Sequence, residues 1–581
     1  MKEGRMPHKE LSEELRQKYK VPDLTRRALL RGTAAVASVA ALNSLLAACR
    51  GAATPAPAEP TVAGAGAGAN AAPTAAPTAG AVTGPKQGGT LVFAAESMGE
   101  SLEPGLWNGF GASNVIDNVG TTLTRPSSGE WTGPAEPGLA ESWAISDDGL
   151  TYTFRIRQGA KFHDGTDVDA HAIVRSLTRQ ANTEDSSYVE GLYMNAEYGF
   201  HNWESITAED DFTVKLVLKE PDAAQLHRLF HPASIVISPK ALDQLGSDIN
   251  TKLVSAGPFM LQNFVPGQEA TLVAFDDYWG GRPKLDKVVI RGFPDEGAML
   301  AAIESGEVSL APYPPATAVQ RLQNAEHVKV EQGPPLIDLF LGLCALNAPM
   351  DNQDVRKAIN YAVNRENLIV AVLHGLGEMP VTLIGPTELG YDASLAEMSR
   401  YDVDKAKEHI EASGLSTPIK IELSYENNRF WPQMAELIKS DLEAVGFSIT
   451  LDKLDSGSYW GKVLGGQSQL NMNQRSLWVP DPDNKVRLLH SSQAMAQNET
   501  GVAAFPIGKQ FDDLIDRGRS ESDPEKRVEI YKELQKSILD WLPYVMLAYY
   551  TKPVVMAKNV MGLPVAGAST ERVFLENVWL E

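Results

Sequence analysis

Residues 255–293 constrain the fold most strongly, because three short apolar runs lie there between turn signals. The runs cover residues 259–264, 272–275 and 288–290, and Pro266-Gly267 and Gly280-Gly281 separate them. Short apolar runs bounded by such dipeptides are typical of β-strands joined by tight connections. The sequence therefore predicts three consecutive strands in this region.

The chain has 581 residues, which is too long for a single core, so we expect two or three domains. Its net charge of −22 comes without a basic stripe, and this argues against nucleic-acid binding. No nucleotide loop, H-E-x-x-H sequence, G-x-S-x-G elbow or Cys-rich pattern occurs. His227 and His231 are four residues apart, but Pro232 follows and no third ligand is visible. The sequence thus favours a binding protein over an enzyme and predicts neither cofactor nor metal.

The N-terminal residues 1–48 have the order of an export signal. Arg26 and Arg27 form a twin-arginine pattern, and an Ala-rich apolar run over residues 34–48 leads to Leu-Ala-Ala-Cys, which ends at Cys49. This ending resembles a bacterial lipobox, which implies twin-arginine export, cleavage before Cys49 and lipid attachment to its thiol. The alternative is an internal Ala-rich helix with an incidental cysteine.

Residues 49–87 continue with Ala, Pro, Thr and Gly and carry almost no charge after Arg50. No core can form from this composition, so the sequence predicts a disordered tether with a reach of roughly 30–40 Å. The second cysteine of the chain, Cys344, lies among apolar residues and has no partner if Cys49 carries lipid. We therefore expect a buried small residue there, not a nucleophile.

Three stretches from Gly88 onward carry a family resemblance. They are Asp-Asp-Tyr-Trp-Gly-Gly-Arg-Pro-Lys-Leu-Asp at 276–286, the Pro-Gly-Leu-Ala-Glu-Ser-Trp motif with the following strand and turn at 137–165, and Asp-Val-Arg-Lys-Ala-Ile-Asn-Tyr-Ala-Val-Asn-Arg at 354–365. Together they resemble the family 5 solute-binding proteins of ABC importers, which are extracytoplasmic receptors for peptides and nickel. The His163-Asp164-Gly165 turn belongs to this pattern, so we interpret it as structural.

The resemblance implies an α/β fold with two lobes, like the periplasmic binding proteins of type II, cluster C, with an additional inserted domain. It predicts a first lobe from 88–124, 250–335 and 549–581, an inserted domain at 125–249, and the remaining lobe at 336–548. The residues themselves predict a strand–helix–strand unit with parallel strands between positions 419 and 451, where alternating apolar residues flank a helical stripe.

The loop after the first strand of that unit contains two candidate ligand residues, Arg429 and Trp431. The carboxyl ends of strands in α/β sheets are where ligands bind. In dipeptide-binding relatives an arginine of this loop pairs with the peptide carboxylate, although the spacing here is shorter. A solvated arginine beside structural aromatic residues is the alternative.

A second candidate loop runs from Trp478 to Asn484 and includes Asp481. Peptide-binding relatives carry Trp-x-x-Asp-Tyr-x-Asp-Pro here, and the first aspartate receives the α-ammonium. Counting from Trp478 gives that place to Asp481. Counting back from Asp481-Pro482-Asp483-Asn484 makes the loop three residues short and removes the ammonium-binding aspartate. An uncharged ligand stacked on Trp431, Trp478 or Trp460 then becomes plausible.

The resemblance implies a lipid-anchored, monomeric receptor outside the cytoplasmic membrane, in the periplasm or at the cell surface. Such a receptor binds a small solute between its lobes and delivers it to ABC permease subunits. Peptide is the leading ligand class, and an oligosaccharide or another uncharged solute is the alternative. A lipid-anchored hydrolase or a sensor without a permease partner would share the export signal.

Overall fold

The computed structural model describes residues 84–106, 109–127, 130–179, 185, 187–188, 200–568 and 570–581. The predictions for the first 83 residues, including the export signal, most of the tether and the lipidation of Cys49, lie outside these ranges. Within the described ranges, no helix combines the length and the apolar character needed to span a membrane.

The described strands are β1 (Thr90–Ala95), β2 (Thr124–Arg125), β3 (Glu136–Pro137), β4 (Ala140–Ile145), β5 (Thr151–Ile156), β6 (Trp203–Asp210), β7 (Thr213–Leu218), β8 (Phe259–Val265), β9 (Glu269–Ala274), β10 (Lys287–Gly292), β11 (Leu310–Ala311), β12 (Val328–Gln332), β13 (Ile337–Leu343), β14 (Gly377–Glu378), β15 (Ile419–Glu426), β16 (Phe447–Leu454), β17 (Leu470–Ser476), β18 (Tyr544–Tyr550), β19 (Pro553–Ala557), β20 (Val560–Met561) and β21 (Trp579–Leu580). The described α-helices are α1 (Gly109–Val119), α2 (Ala170–Thr178), α3 (Gln225–Arg228), α4 (Pro239–Leu245), α5 (Glu296–Glu304), α6 (Ala316–Gln323), α7 (Gln353–Ala362), α8 (Arg365–Ala371), α9 (Val403–Ala412), α10 (Trp431–Glu443), α11 (Ser456–Leu464), α12 (Asp483–Val486), α13 (Pro506–Ser520), α14 (Pro524–Trp541) and α15 (Val565–Ala568).

The first lobe is built on a seven-stranded sheet in the order β12-β19-β11-β1-β10-β9-β8. Strand β1 pairs in parallel with β10 and β11, whereas β8, β9 and β10 form an antiparallel meander. The three consecutive strands predicted for residues 255–293 are therefore confirmed. Phe259, Leu272 and Ile290 are fully buried in the core of this lobe, where they pack with residues of α1. The short apolar runs form strands because each supplies the buried face of the sheet.

Two further sheets follow from the remaining strands. The antiparallel sheet β4-β5-β7-β6 has its own core and lies in the chain between β1 and β8, and we call it the inserted domain. The second lobe contains the six-stranded sheet β14-β18-β13-β17-β15-β16. The mixed α/β architecture predicted from the sequence is confirmed, while the exact domain boundaries stay predictions.

The predicted strand–helix–strand unit is confirmed in the second lobe, where β15 and β16 pair in parallel and α10 connects them. Met434, Ile438 and Leu442 recur every fourth residue on α10 and are fully buried. This spacing puts them on one helical face, which packs into the core of the second lobe. The helix follows the loop that carries Arg429, so the packing of α10 holds that loop at the end of β15.

Two short segments join the sheets of the two lobes within the described residues. The first runs from the end of β12 at Gln332 to the start of β13 at Ile337, and the second from the end of β18 at Tyr550 to the start of β19 at Pro553. A pair of short segments between two packed bodies is a common site of hinge rotation, since a few residues absorb the change in φ and ψ.

The chain returns from the inserted domain to the first lobe through a close backbone contact. Gly257 donates its N–H to Val119 O at 3.1 Å. A Cβ atom at this position would lie 2.6 Å from Val119 O and would also contact Gly120 O. Only glycine therefore lets the returning strand approach the end of α1 this closely.

We predict that Gly257→Ala lowers the free energy of unfolding by about 1–3 kcal/mol, because backbone atoms must move to admit the methyl group. Urea denaturation followed by circular dichroism measures this change. Gly461→Ala is the matched control, because this glycine lies in α11 with open space around it. The control substitution should raise stability by up to about 1 kcal/mol. Equal effects of the two substitutions would contradict the steric argument.

Candidate functional site

The facing surfaces of the two lobes meet through charged side chains at the ends of strands. Glu96 directly follows β1 in the first lobe, and Arg429 lies in the loop after β15 in the second lobe. The Nη2 of Arg429 donates to Glu96 Oε2 and forms an ion pair between the lobes. Both residues stand at the carboxyl end of a strand, where α/β sheets present ligand-binding groups.

Arg429 makes two further contacts that fix its guanidinium between the lobes. Its Nη1 donates to Gln474 Oε1 at 3.3 Å, and the guanidinium carbon lies 5.2 Å from the centre of the Phe110 ring. Its backbone adopts a left-handed φ of 49°. Burial lowers the pKa of Arg429, but the carboxylates of Glu96 and Glu571 outweigh this effect and hold the pKa above its ordinary value.

A second ion pair lies next to the first. Lys552, in the segment between β18 and β19, pairs with Glu571 of the first lobe, and both side chains are buried. The Glu571 carboxylate also accepts hydrogen bonds from Gln474 Nε2 at 3.4 Å and Ser476 Oγ at 3.2 Å, both on β17 of the second lobe. Burial lowers the pKa of the Lys552 ammonium, although Glu571 opposes this shift.

We call these side chains the interlobe cluster. Its members are Glu96, Arg429, Gln474, Ser476, Lys552 and Glu571. A cavity of about 90 Å³ lies beside the cluster, well below the roughly 300–1,000 Å³ typical of pockets for small-molecule ligands. Because this space is smaller than a peptide, a ligand of that size requires the lobes to separate and the contacts between them to be exchanged.

The two predicted tryptophans occupy different places. Trp431 is the first residue of α10 and is buried in the core of the second lobe, where its ring contacts Phe430. Trp478 is also buried, and its ring centre lies 5.8 Å from that of His231, which follows α3 in the inserted domain. Neither residue belongs to the interlobe cluster. Their role in ligand binding stays a prediction.

Asp481, the predicted ammonium site, has partners within its own lobe. Its Oδ1 accepts a hydrogen bond from Arg527 Nη2 of α14 at 2.8 Å and one from the backbone N–H of Asp483 at 2.9 Å. The side chain is 5% exposed. An ammonium group that binds here would have to compete with the Arg527 guanidinium, and the assignment of Asp481 to the ligand stays a prediction.

The neighbouring Asp483 connects the second lobe to the inserted domain. Its carboxylate pairs with Arg487 at 2.9 Å within the lobe and with Arg228 of α3. Arg228 also donates to Asp222 at 2.8 Å. Burial raises the pKa of Asp483, but Arg487 and Arg228 outweigh it and hold the pKa well below its usual range. The Asp-Pro-Asp-Asn sequence thus supplies a buried ionic contact between two parts of the fold.

A larger cavity of about 360 Å³ lies outside the interlobe cluster, between the inserted domain and parts of the first lobe. Its charged lining groups are paired on that side of the molecule, since Arg125 contacts Glu576 at 3.0 Å and Arg572 contacts Asp117 at 2.6 Å. Neither ion pair includes a residue of the second lobe. Separation of the lobes would therefore leave both pairs intact.

His163 and Cys344 both form hydrogen bonds to backbone carbonyl groups. His163 hydrogen-bonds to Gly257 O at 3.0 Å, and burial lowers its pKa to about 4. Cys344 is buried, its thiol donates to Asn498 O at 3.0 Å, and burial raises its pKa to about 11. A thiol with such a pKa is a poor nucleophile at neutral pH. The interpretation of Cys344 as a buried small residue is therefore confirmed.

Five members of the interlobe cluster were not found from the sequence: Glu96, Gln474, Ser476, Lys552 and Glu571. Glu96 had a usable signal, because it ends a strand of the α/β sheet, the same criterion that selected Arg429. Gln474 and Glu571 are 97 positions apart in the chain, so no local pattern connects them.

Two lobes that are joined by two short segments and that face each other with paired charges define a solute-binding receptor. The family model described as bacterial extracellular solute-binding proteins, family 5 middle, matches residues 135–497. The chain belongs to this family, whose members are extracytoplasmic substrate-binding receptors.

The chain is 30% identical to the dipeptide-binding protein of Escherichia coli over 505 residues, which cover 82% of this chain and 92% of the relative. It is also 30% identical to the glutathione-binding protein GsiB of Escherichia coli over 451 residues, covering 75% of this chain and 86% of that protein. The solved structure of the periplasmic binding protein DppA from Helicobacter pylori in complex with the peptide STSA has a TM-score of 0.78 and 29% identity. That match covers 85% of this chain and 99% of DppA.

We predict that Asp483→Asn lowers the free energy of unfolding by about 3 kcal/mol, because it leaves the buried guanidinium groups of Arg487 and Arg228 with one carboxylate fewer. Urea denaturation monitored by tryptophan fluorescence measures the change. Asp513→Asn on the exposed face of α13 is the control and should change stability by less than about 0.5 kcal/mol. A similarly small effect of Asp483→Asn would contradict a stabilising role for the network.

Proposed function

We propose that this protein is an extracytoplasmic receptor that binds a peptide between its two lobes and delivers it to the permease of an ABC importer. The observation that carries the proposal is the interlobe cluster, in which carboxylates and cations of opposite lobes face each other. A peptide with free termini carries the same two kinds of charge. The peptide in the DppA complex and the names of the curated relatives support the same ligand class.

Hinge rotation about the two connecting segments is the proposed mechanism. The open form admits the ligand, and closure buries it between the lobes. The ligand shifts the receptor toward the closed form because it binds that form more tightly than the open form. The permease subunits then dock on that closed form, and the receptor acts as a monomer.

Arg429 is the proposed carboxylate-binding residue. A guanidinium presents its N–H groups in a planar fork that matches a carboxylate, and such charge-assisted bonds are strong and directional. Arg429 already binds one carboxylate across the lobes, that of Glu96. A ligand carboxylate would take the same place after the lobes open. Trp478, Trp431 and Asp481 remain proposed ligand residues from the sequence pattern.

The export route is proposed from the N-terminal sequence. Arg26 and Arg27 direct twin-arginine export, and Cys49 carries the lipid after cleavage of residues 1–48. Residues 49–87 then form the tether between the membrane and the folded receptor. Lipid attachment keeps the receptor close to its permease, on the outer side of the cytoplasmic membrane.

A thermal-shift screen of the purified protein against di- to hexapeptides, oligosaccharides, glutathione and nickel tests the function. Peptides should raise the melting temperature, because a ligand at 100 times its Kd adds about 2.7 kcal/mol of stability. Arg429→Gln should weaken peptide binding roughly 10- to 100-fold, since it removes charge-assisted hydrogen bonds. Arg400→Gln, on an exposed arginine, is the control and should bind as the wild type does. A shift with sugars alone would overturn the peptide assignment.

We further predict that Cys49→Ala prevents lipid attachment, because no thiol remains at the predicted cleavage site. Metabolic labelling with a radioactive fatty acid, followed by membrane fractionation, measures the effect. The variant should carry no label and leave the membrane fraction, whereas Cys344→Ala should be labelled like the wild type. Label on the Cys49→Ala protein would contradict the lipobox interpretation.

A further inference from the structure

We propose that Glu571 is the residue that binds the ligand's ammonium group, so that the receptor selects short peptides with a free amino terminus. This inference rests on the proposed peptide-binding function. It assigns the ammonium to a carboxylate of the first lobe, whereas the sequence pattern pointed to Asp481 of the second lobe.

The backbone of Glu571 is the first observation. Its φ of 74° lies in the left-handed region, where a residue other than glycine, asparagine or aspartate is uncommon. The turn after α15 imposes this conformation, because Glu571 donates its N–H to Ala568 O at 3.0 Å and Arg572 donates to Gly567 O at 3.2 Å, a Schellman pattern that needs a left-handed residue. Glycine is the usual residue at this place in the turn, and here a glutamate occupies it. That side chain is 1% exposed and lies at the contact between the lobes.

The partners of Glu571 are the second observation. Two of its hydrogen bonds come from Gln474 and Ser476 of the opposite lobe. When the lobes separate, these donors leave, and the carboxylate loses two of its contacts. Among the partners that the described residues supply to this carboxylate, Lys552 is the one that does not lie on the opposite lobe, because it belongs to the segment between β18 and β19. Lone pairs of the carboxylate then face the open cleft and can accept N–H groups of an incoming ammonium.

Asp481 differs in this respect. Its side-chain partner, Arg527, belongs to the same lobe, and so does the backbone N–H of Asp483 that it accepts. Separation of the lobes therefore leaves the carboxylate of Asp481 paired. Opening thus frees no acceptor site on Asp481, whereas it frees the two sites on Glu571 that Gln474 and Ser476 occupy.

Gln474 is the third observation, because its amide group bridges two charges. Its oxygen accepts from Arg429 at 3.3 Å, and its nitrogen donates to Glu571 at 3.4 Å. The side chain thus places one amide between a cation and a carboxylate. A dipeptide has the same arrangement, with one amide between its carboxylate and its ammonium, and spans about 7 Å when extended. We infer that a bound dipeptide replaces the amide of Gln474 in this bridge.

The charge balance of the cluster agrees with a zwitterionic ligand. Within the cluster, Glu96 and Glu571 contribute two carboxylates and Arg429 and Lys552 two cations, and Glu296 adds one more carboxylate to the lining of the adjacent cavity. A zwitterion that enters leaves this balance unchanged, whereas a ligand with a blocked amino terminus adds an unpaired negative charge. Burial of an unpaired charge is unfavourable, so the cluster should reject blocked peptides.

Isothermal titration of Glu571→Gln and of the wild type with the tightest-binding dipeptide of the peptide screen, and with its N-acetyl derivative, tests this proposal. Acetylation should weaken binding to the wild type about 10-fold or more, because it removes a charge-assisted contact. The free dipeptide should bind Glu571→Gln about 10-fold more weakly than it binds the wild type. The variant should bind the free and the acetylated dipeptide with nearly the same affinity, since the group that distinguishes them is gone.

Glu571→Gly is the second variant, because glycine adopts a φ of 74° without strain and the fold should tolerate it. Asp481→Asn is measured in parallel and should keep the full acetylation penalty. If acetylation weakens binding as much in both Glu571 variants as in the wild type, or if only Asp481→Asn abolishes the penalty, the assignment is wrong. If no peptide binds the wild type, the proposed function fails first, and the assignment falls with it.

Discussion

Buried charges control how the parts of this protein meet, because a charge removed from water needs a partner. Three of the ionic groups between the parts keep a partner when the contact opens, whereas Glu96 and Arg429 lose each other. Asp483 retains Arg487 in its own lobe, and Arg228 retains Asp222 in the inserted domain. Glu571 retains Lys552 in the connecting segment. When the lobes separate, each of these three charged groups therefore keeps one oppositely charged partner.

This arrangement lets each lobe stay tightly packed while the lobes rotate relative to each other. Each sheet has its own apolar core, so hinge rotation does not open the interior of either lobe. Water can replace the partners of the ion pairs and hydrogen bonds that rotation would break, while the apolar contact of Leu477 with Trp131 and Phe230 favours the form in which the parts meet. The free energy difference between open and closed forms can then be small enough for a ligand to decide it.

The fold could be predicted further than the site, for physical reasons. Strands β8–β10 and the β15–α10–β16 unit follow from local alternation and helical spacing, because burial of one face imposes that pattern. The position of Arg429 at a strand end was also readable. The contacts of Glu571 were not, since Gln474 and Ser476 lie 97 and 95 positions away. The partner of Asp481, Arg527, is 46 positions distant and was missed for the same reason.

The amide of Gln474 has a consequence for affinity. The amide bridges Arg429 and Glu571 when the lobes are in contact, and under the proposed assignment of these two residues it occupies the place of the ligand's own amide. Only the fraction of molecules in which this bridge is broken can bind. The apparent Kd is therefore the intrinsic Kd divided by that fraction. The side chain of Gln474 thus competes with the ligand within the same molecule. The strength of its two hydrogen bonds helps to set the ligand concentration at which half of the receptor is occupied.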